Sequence, residues 1–331
     1  MPVHDTSYQH WRGVHLGLWG RRWVIARNGL TACLQIKGMR HLTALCWTAG
    51  LVMTGLLFLV GQLLVADSVV AQSLPNLNPG LQSLARLLTT WLEEHPEISV
   101  RTTQNVLFYY FAIYLMRVSI FALGMTIPML ITRDLASNAI LIYASKAVSR
   151  GDYFLGKFAT AFGLIALTWL GPVCAAWFMG NLLAPDWGFF WHSRAALGHV
   201  LLYGLCSMSA LSLLALGVSA LSTKEKATPA YWYLWWILGG VLGPIAVQTR
   251  PWLQHLSFNY NLDQIALGIF RLGVDLKTAQ ENIPLLGDLL RDIKPQTMAA
   301  LNNPALWGAS LALLLMLVLA GGIIAWRVKP E

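Results

Sequence analysis

The sequence predicts an all-α integral membrane protein in which six helices cross the bilayer. Only 11% of its 331 residues are charged, whereas soluble domains average about 25%, and 56% are hydrophobic. The 15 Trp and 10 Tyr residues fit this class, because their amphipathic rings favour the interface between lipid and water. This composition argues against a soluble nucleotide-binding domain.

Six segments are long and apolar enough to be spans, because about 20 mostly apolar residues cross the hydrocarbon core of a bilayer. They are residues 42–66, 106–131, 158–183, 195–221, 229–247 and 304–326. The predicted transmembrane domain is therefore 42–326, with a short tail at 327–331. An even number of crossings places both termini on one side of the membrane.

The distribution of charge indicates which side that is. With the termini inside, the inner segments hold 14 basic and 5 acidic residues, whereas the outer segments hold 8 basic and 10 acidic. Cytoplasmic segments of membrane proteins collect Lys and Arg, so both termini are predicted to be cytoplasmic. This bias accounts for the net charge of +8 without a nucleic-acid partner.

Three segments outside the spans have amphipathic character. Most of the N-terminal segment 1–41 mixes Trp and aliphatic residues with cations, which predicts an interfacial helix lying on membrane lipids. A disordered basic tail is the alternative, and it fits the first nine residues better. The predicted outer loops, 67–105 and 248–303, either cap the bundle or provide a surface for a substrate or an extracytoplasmic partner.

The stretch SRGDYFLGKF contains part of a phosphate-binding pattern. Gly151, Gly156 and Lys157 fit G-x-x-x-x-G-K, but the next residue is Phe158 where the pattern needs Ser or Thr to bind magnesium. An apolar span begins here and no β-strand is predicted before it. The match is interpreted as a coincidence of Gly and Lys at the start of a membrane helix.

The same stretch belongs to a long predicted inner loop, 132–157, that resembles a family. The loop is similar to that of permease subunits of type-2 ATP-binding-cassette (ABC) exporters, which carry a pattern like L-Y-x-S-x-P-x-S-R-x-D-Y-x-x-G-K after an acidic residue. The matching residues are Asp134, Tyr143, Ser145, Ser149, Arg150, Asp152, Tyr153, Gly156 and Lys157. Ala147 departs from the pattern, because many relatives have Pro there.

The resemblance implies a membrane subunit without catalytic activity, paired with a second permease copy or a paralogue in a bacterial-type inner membrane. ATP and magnesium would be held by separate cytoplasmic ATPase subunits, and this chain would hold no cofactor or metal. The inner loop would be the coupling element that docks on the ATPase. The residues assigned to this coupling are Asp134, Tyr143, Lys146, Arg150, Asp152, Tyr153 and Lys157.

The length of the inner loop supports docking independently of the resemblance. A connection between two spans needs four or five residues, and this loop has 26. Its charges would set the register of an interface, and the apolar residues 140–143 would anchor it. The alternative is that Lys146, Arg150 and Lys157 only contact lipid phosphates.

One Arg and one His lie within predicted spans. Arg117 is near the middle of the second span, where an Arg costs about 2.5–3.5 kcal/mol on insertion scales. It either faces the transport pathway or is paired within the bundle. His199, near the outer end of the fourth span, is interpreted as an interfacial residue rather than a ligand.

Two other classes of function remain. A membrane enzyme is disfavoured because the spans lack H-E-x-x-H and G-x-S-x-G motifs, and the four Cys residues show no metal-ligand spacing. An assembly or mechanotransmission component acting on an extracytoplasmic partner fits the spans but leaves the long inner loop unexplained. An ATPase with a complete phosphate loop in a neighbouring reading frame would distinguish these classes.

Overall fold

The computed structural model of the chain describes residues 17–62, 78–80, 82–83, 90, 96–139, 149–184, 187–282 and 301–328. All regular secondary structure in these residues is helical, which confirms the all-α class for this part of the chain. The helices are α1 (Leu18–Gln35), α2 (Lys37–Gln62), α3 (Pro96–Thr126), α4 (Thr132–Ala136), α5 (Arg150–Ile165), α6 (Gly171–Leu182), α7 (Gly188–Ala220), α8 (Ala227–Thr249), α9 (Phe258–Phe270), α10 (Leu272–Asn282) and α11 (Leu306–Arg327).

Five helical segments are long and apolar enough to cross a membrane, which indicates a multi-pass membrane protein. They are Lys37–Gln62, Glu97–Ala136, Arg150–Leu182, Gly188–Ala220 and Leu306–Arg327. Five of the six predicted spans fall on these segments. The sixth, 229–247, falls on the 23-residue α8, whose side chains are described only for 227–241. A sixth crossing therefore stays a prediction.

Helix α3 begins ten residues before the predicted span at 106, and polar side chains of these first turns are buried in the bundle. Ser99, Thr102 and Asn105 are all buried. Asn105 Nδ2 donates a hydrogen bond to the Phe270 carbonyl oxygen at 2.6 Å. Hydropathy alone misses these turns, since it counts polar residues as solvent-exposed.

Helix α7 forms the centre of the bundle and α11 lies at its edge. The most apolar window of α7 is 67% buried, compared with 22% for α11. Small residues of α7 allow this close packing. A Cβ at Gly217 would lie 2.6 Å from the Ala320 Cβ on α11, and one at Gly204 would lie 2.6 Å from the Trp169 ring.

Helix α9 packs among the long helices, although its residues belong to the predicted outer loop 248–303. The chain returns from the end of α8 through a 3-10 turn, Pro251–Leu256, to Ser257, which lies against Gly239 of α8. Phe258 then stacks on Trp232, with ring centroids 5.3 Å apart. Trp232 is only five residues, about 8 Å, from the start of α8. Helix α9 therefore begins deep within the bundle.

Helices α5 and α6 are continuous through a π turn, Ala166–Leu170. Pro172 provides the local cause, because it has no N–H to donate back along the helix. The Gly171 N–H bonds to the Ala166 carbonyl instead, and the indole Nε1 of Trp47 donates to the Leu167 carbonyl at 3.1 Å. The Gly171-Pro172 pair is thus preceded by a π turn that a side chain of α2 holds in place.

Candidate functional site

Buried hydroxyl groups fix the position of the inner loop's first residues. The Oγ of Ser219 on α7 accepts hydrogen bonds from the backbone N–H groups of Ile131 and Thr132 at 2.8 and 3.0 Å. It donates to the Ile127 carbonyl at 2.8 Å, and Thr132 Oγ1 donates to the Ser219 carbonyl at 2.7 Å. Helix α4 therefore starts from a fixed point on α7.

Three predicted site residues, Asp134, Tyr153 and Lys157, form one cluster that joins the two ends of the inner loop. Tyr153 Oη donates to Asp134 Oδ2 at 2.7 Å, and Lys157 Nζ lies 2.7 Å from the same oxygen. Lys157 Nζ also donates to the Met129 carbonyl at 3.2 Å. Tyr153 and Lys157 reach the same carboxylate because residues four apart share a face of α5.

This cluster is largely removed from solvent. The side chains of Lys157 and Asp134 are 9% and 13% exposed. Loss of one member of a buried ion pair is costly, because the other charge is left without a partner. The cluster therefore holds α4 and α5 in a fixed relation on either side of residues 140–148.

A second cluster ties the N-terminal helix to the start of α5. Ser149 caps α5: its Oγ accepts from the Asp152 N–H at 3.1 Å and donates to Asp152 Oδ2 at 2.7 Å. Arg22 Nε of α1 lies 2.6 Å from Asp152 Oδ1, and its guanidinium lies 5.0 Å from the centroid of the Trp19 ring. Asp152 is thus both a first-turn acid favoured by the helix dipole and the anchor for α1.

The remaining coupling candidates have a different setting. Arg150 is exposed at the first residue of α5, whereas Asp152, Tyr153 and Lys157 are buried. Tyr143 and Lys146 lie outside the described residues. The segment 151–157 is helical, so it does not form the open, glycine-rich loop that cradles phosphates.

Arg117 is paired within the chain. Its Nη2 donates to Asp263 Oδ2 of α9 at 3.0 Å, and its guanidinium lies 5.7 Å from the centroid of the Tyr114 ring. The pair lines a cavity of about 640 Å³ between α3, α8 and α9. The Arg117 side chain is 44% exposed and that of Asp263 is 32% exposed, so both remain accessible from the cavity. Further polar lining residues are Gln254, Ser257, Asn259 and Tyr260.

Sequence reasoning missed the partners of these groups. The cost of a central Arg indicates that Arg117 needs a partner, but the sequence places Asp263 only among the acidic residues of the predicted outer loop 248–303. Arg22 was counted only as one of the cations that meet lipid headgroups. A third pair, Arg133 with Glu225 at 3.2 Å, links α4 to the turn before α8 and is exposed.

Within the described residues, no group of three His, Cys, Asp or Glu side chains is placed to hold a metal ion. Comparison of the chain with protein-family models, curated proteins and solved structures found no match.

Proposed function

We propose that this chain is the permease subunit of a type-2 ABC exporter, working with a separate cytoplasmic ATPase. The proposal combines the resemblance of the inner loop with the cluster of Asp134, Tyr153 and Lys157. A loop that transmits force into a membrane bundle needs rigid attachment at both of its ends. The cluster supplies such an attachment, because the Asp134 carboxylate lies on α4 and binds the side chains of Tyr153 and Lys157 on α5.

The structure suggests a division of roles within the predicted coupling residues. The buried side chains of Asp152, Tyr153 and Lys157 support the loop from inside. Exposed Arg150, together with Tyr143 and Lys146 of the segment between the clusters, supplies the contacts with the ATPase. A displacement of this segment would pass through Asp134 to α4 and through Lys157 to α5.

The cavity at Arg117 is the proposed pathway region. Its walls come from α3, α8 and α9, and it offers a cation, an anion and uncharged hydrogen-bonding groups together. Large side chains of α3 and α8, among them Tyr110, Tyr114, Leu234 and Ile237, are exposed on the described surface. A second permease copy would cover this apolar face and enclose the cavity between the two chains.

The test is purification of the tagged chain from its native membrane with identification of the proteins that accompany it. The parent should retain a chain with a complete phosphate loop in stoichiometric amount. The double variant Lys146→Glu/Arg150→Glu should lose this chain, because a lost interfacial charge pair costs about 2–5 kcal/mol. The matched control is Lys277→Glu on α10, whose side chain is 73% exposed.

The proposal is wrong if no such ATPase accompanies the parent chain. It also fails if the double variant keeps both the ATPase and coupled hydrolysis. Thermal unfolding of the purified variants shows whether the membrane bundle is intact, and we expect no change because the Arg150 side chain is exposed.

A further inference from the structure

A second cavity lies at the end of the bundle away from the inner loop, which we call the distal end. Its volume is about 370 Å³, and it is enclosed by α3, α7 and the junction of α9 with α10. Arg101, His199, Arg271 and Asp275 contribute its charged or titratable side chains. It does not overlap the lining of the Arg117 cavity.

The buried amide of Asn105 is hydrogen-bonded to three residues that line this cavity. Asn105 Nδ2 donates to the Phe270 carbonyl at 2.6 Å and to the carboxylate of Asp275. These two acceptors fix the orientation of the amide, so Asn105 Oδ1 is the atom that lies 2.9 Å from His199 Nδ1. Because an amide oxygen only accepts, Nδ1 carries the proton. The other ring nitrogen, Nε2, becomes a donor on protonation.

Arg271 is held in the cavity lining by an unusual backbone conformation. Its φ and ψ are 51° and 40°, in the left-handed region, at the position that ends α9. Glycine normally occupies this position, because a side chain there is unfavourable. The chain has an arginine instead, at the junction of α9 with α10, and this arginine lines the cavity. Apart from Asn138, no other non-glycine residue in the described ranges has a positive φ.

The two arginines give the cavity its cationic character. Arg101 and Arg271 are both exposed, and neither has an ion pair with a described residue. Asp275 lies beside them and is 9% exposed; burial raises the pKa of its carboxyl group, while the hydrogen bond from Asn105 and the charge of Arg101 lower it. An anion bound nearby would raise this pKa further and favour the neutral form.

We propose that the distal cavity binds a phosphate group through Arg101 and Arg271. Planar guanidinium groups bind phosphate oxygens with two parallel hydrogen bonds, and the exposed apolar side chains of Leu202 and Val274 lie at the rim. The phosphate belongs either to a lipid headgroup or to a free solute. This site is independent of the proposed transport function, and its presence needs no ATPase.

The test uses the purified full-length chain in two arms. In detergent without phospholipid, equilibrium binding of inorganic phosphate is measured. In nanodiscs of phosphatidylglycerol and phosphatidylcholine in equal amounts, the lipid that stays bound after release into detergent is identified by native mass spectrometry. Phosphate binding in the first arm identifies a free solute, whereas selective retention of phosphatidylglycerol in the second identifies a headgroup.

Two variants locate the binding. Arg101→Gln and Arg271→Gly should each weaken it about ten- to one-hundred-fold, the loss expected for a charge-assisted hydrogen bond. Arg271→Gly should unfold at a temperature no lower than the parent, because glycine adopts the left-handed conformation freely. Arg194→Gln on α7, whose guanidinium stacks on Trp191 outside the cavity, is the control and should bind as the parent does.

The proposal is overturned if the parent shows neither phosphate binding nor selective lipid retention. It is also overturned if Arg101→Gln and Arg271→Gly bind as well as Arg194→Gln does. Should Arg271→Gly fail to fold, Arg101→Gln decides the question alone, since its backbone is helical and its side chain is exposed.

Discussion

The structure gives Lys157 a different role from the one that its sequence pattern indicates. In the sequence it completes a phosphate-binding pattern and adds to a cationic loop. In the structure its ammonium group is buried against Asp134 and a backbone carbonyl. This charge stabilises the position of the loop ends, because displacing the ammonium group would leave the buried carboxylate of Asp134 without a counter-charge.

At the residue scale we therefore predict a large difference between two ion pairs of the same loop. Lys157→Met should lower the free energy of unfolding by about 3–5 kcal/mol, because Asp134 then loses its counter-charge in a buried site. Arg133→Met should lower it by about 0–1 kcal/mol, since the Arg133–Glu225 pair is about half exposed on both sides. Denaturant unfolding in detergent measures both values. Equal costs for the two substitutions would contradict an internal role for Lys157.

At the scale of elements, α1 is joined to α5 by close contact as well as by charge. A Cβ at Gly156 would lie 2.6 Å from Ile25 Cγ2, and one at Gly29 would lie 2.5 Å from Thr160 Oγ1. The Arg22–Asp152 pair lies on the same side of α5, one turn before Gly156. The N-terminal helix is therefore part of the support of the inner loop, in addition to its predicted place on the lipid surface.

This contact gives a prediction with a control on the same helix. Gly156→Ala should raise hydrogen exchange at the backbone amides of α1, because overpacking against the stiff, branched Ile25 costs about 1–3 kcal/mol. Gly163→Ala should leave α1 protected and stabilise α5, since its added Cβ has only an ordinary contact with Leu30 at 3.9 Å. Unchanged protection of α1 in Gly156→Ala would show that this contact does not hold the helix.

At the scale of the whole molecule, the length of the apolar segments in the sequence predicted most of the fold. The long segments around α2, α3, α5–α6, α7 and α11 each exceed the length of a span, so composition alone finds them. The burial of α9 among the long helices was missed because its 13 residues are too few for that criterion. The first turns of α3 were missed because the two groups that accept hydrogen bonds from Asn105 Nδ2, the Phe270 carbonyl and the Asp275 carboxylate, belong to residues more than 160 positions away.

The candidate sites were less predictable for the same reason. Arg22 and Asp152 are 130 positions apart, and Arg117 and Asp263 are 146 apart. A local motif shows which residues are present but not which partners the fold brings to them. That Arg117 needs a partner was predictable from the cost of placing an Arg near the middle of a span. Which residue is the partner depends on the path of the chain between α8 and α11.

The burial of α9 also determines how the chain must be made. A segment of 13 residues cannot be inserted as a span during synthesis, so it has to enter from the distal side once its neighbours are in place. One of those neighbours is α11, which is synthesised later: Leu306 packs on Gly268, and Gln264 Oε1 accepts from the Ala305 N–H at 2.8 Å. Until α11 is synthesised, one of the helices against which α9 packs is missing.

Biogenesis should therefore be post-translational at this one helix. In a chain whose native cysteines are replaced by Ala, Ala266→Cys should react with a polymer-linked maleimide when the chain is truncated after residue 282 and released from the ribosome. It should be protected in the full-length chain, where Ala266 is fully buried. Lys277→Cys, at an exposed position of α10, should react at both lengths. Protection of Ala266→Cys in the truncated chain would mean that α9 reaches its place without the last helix.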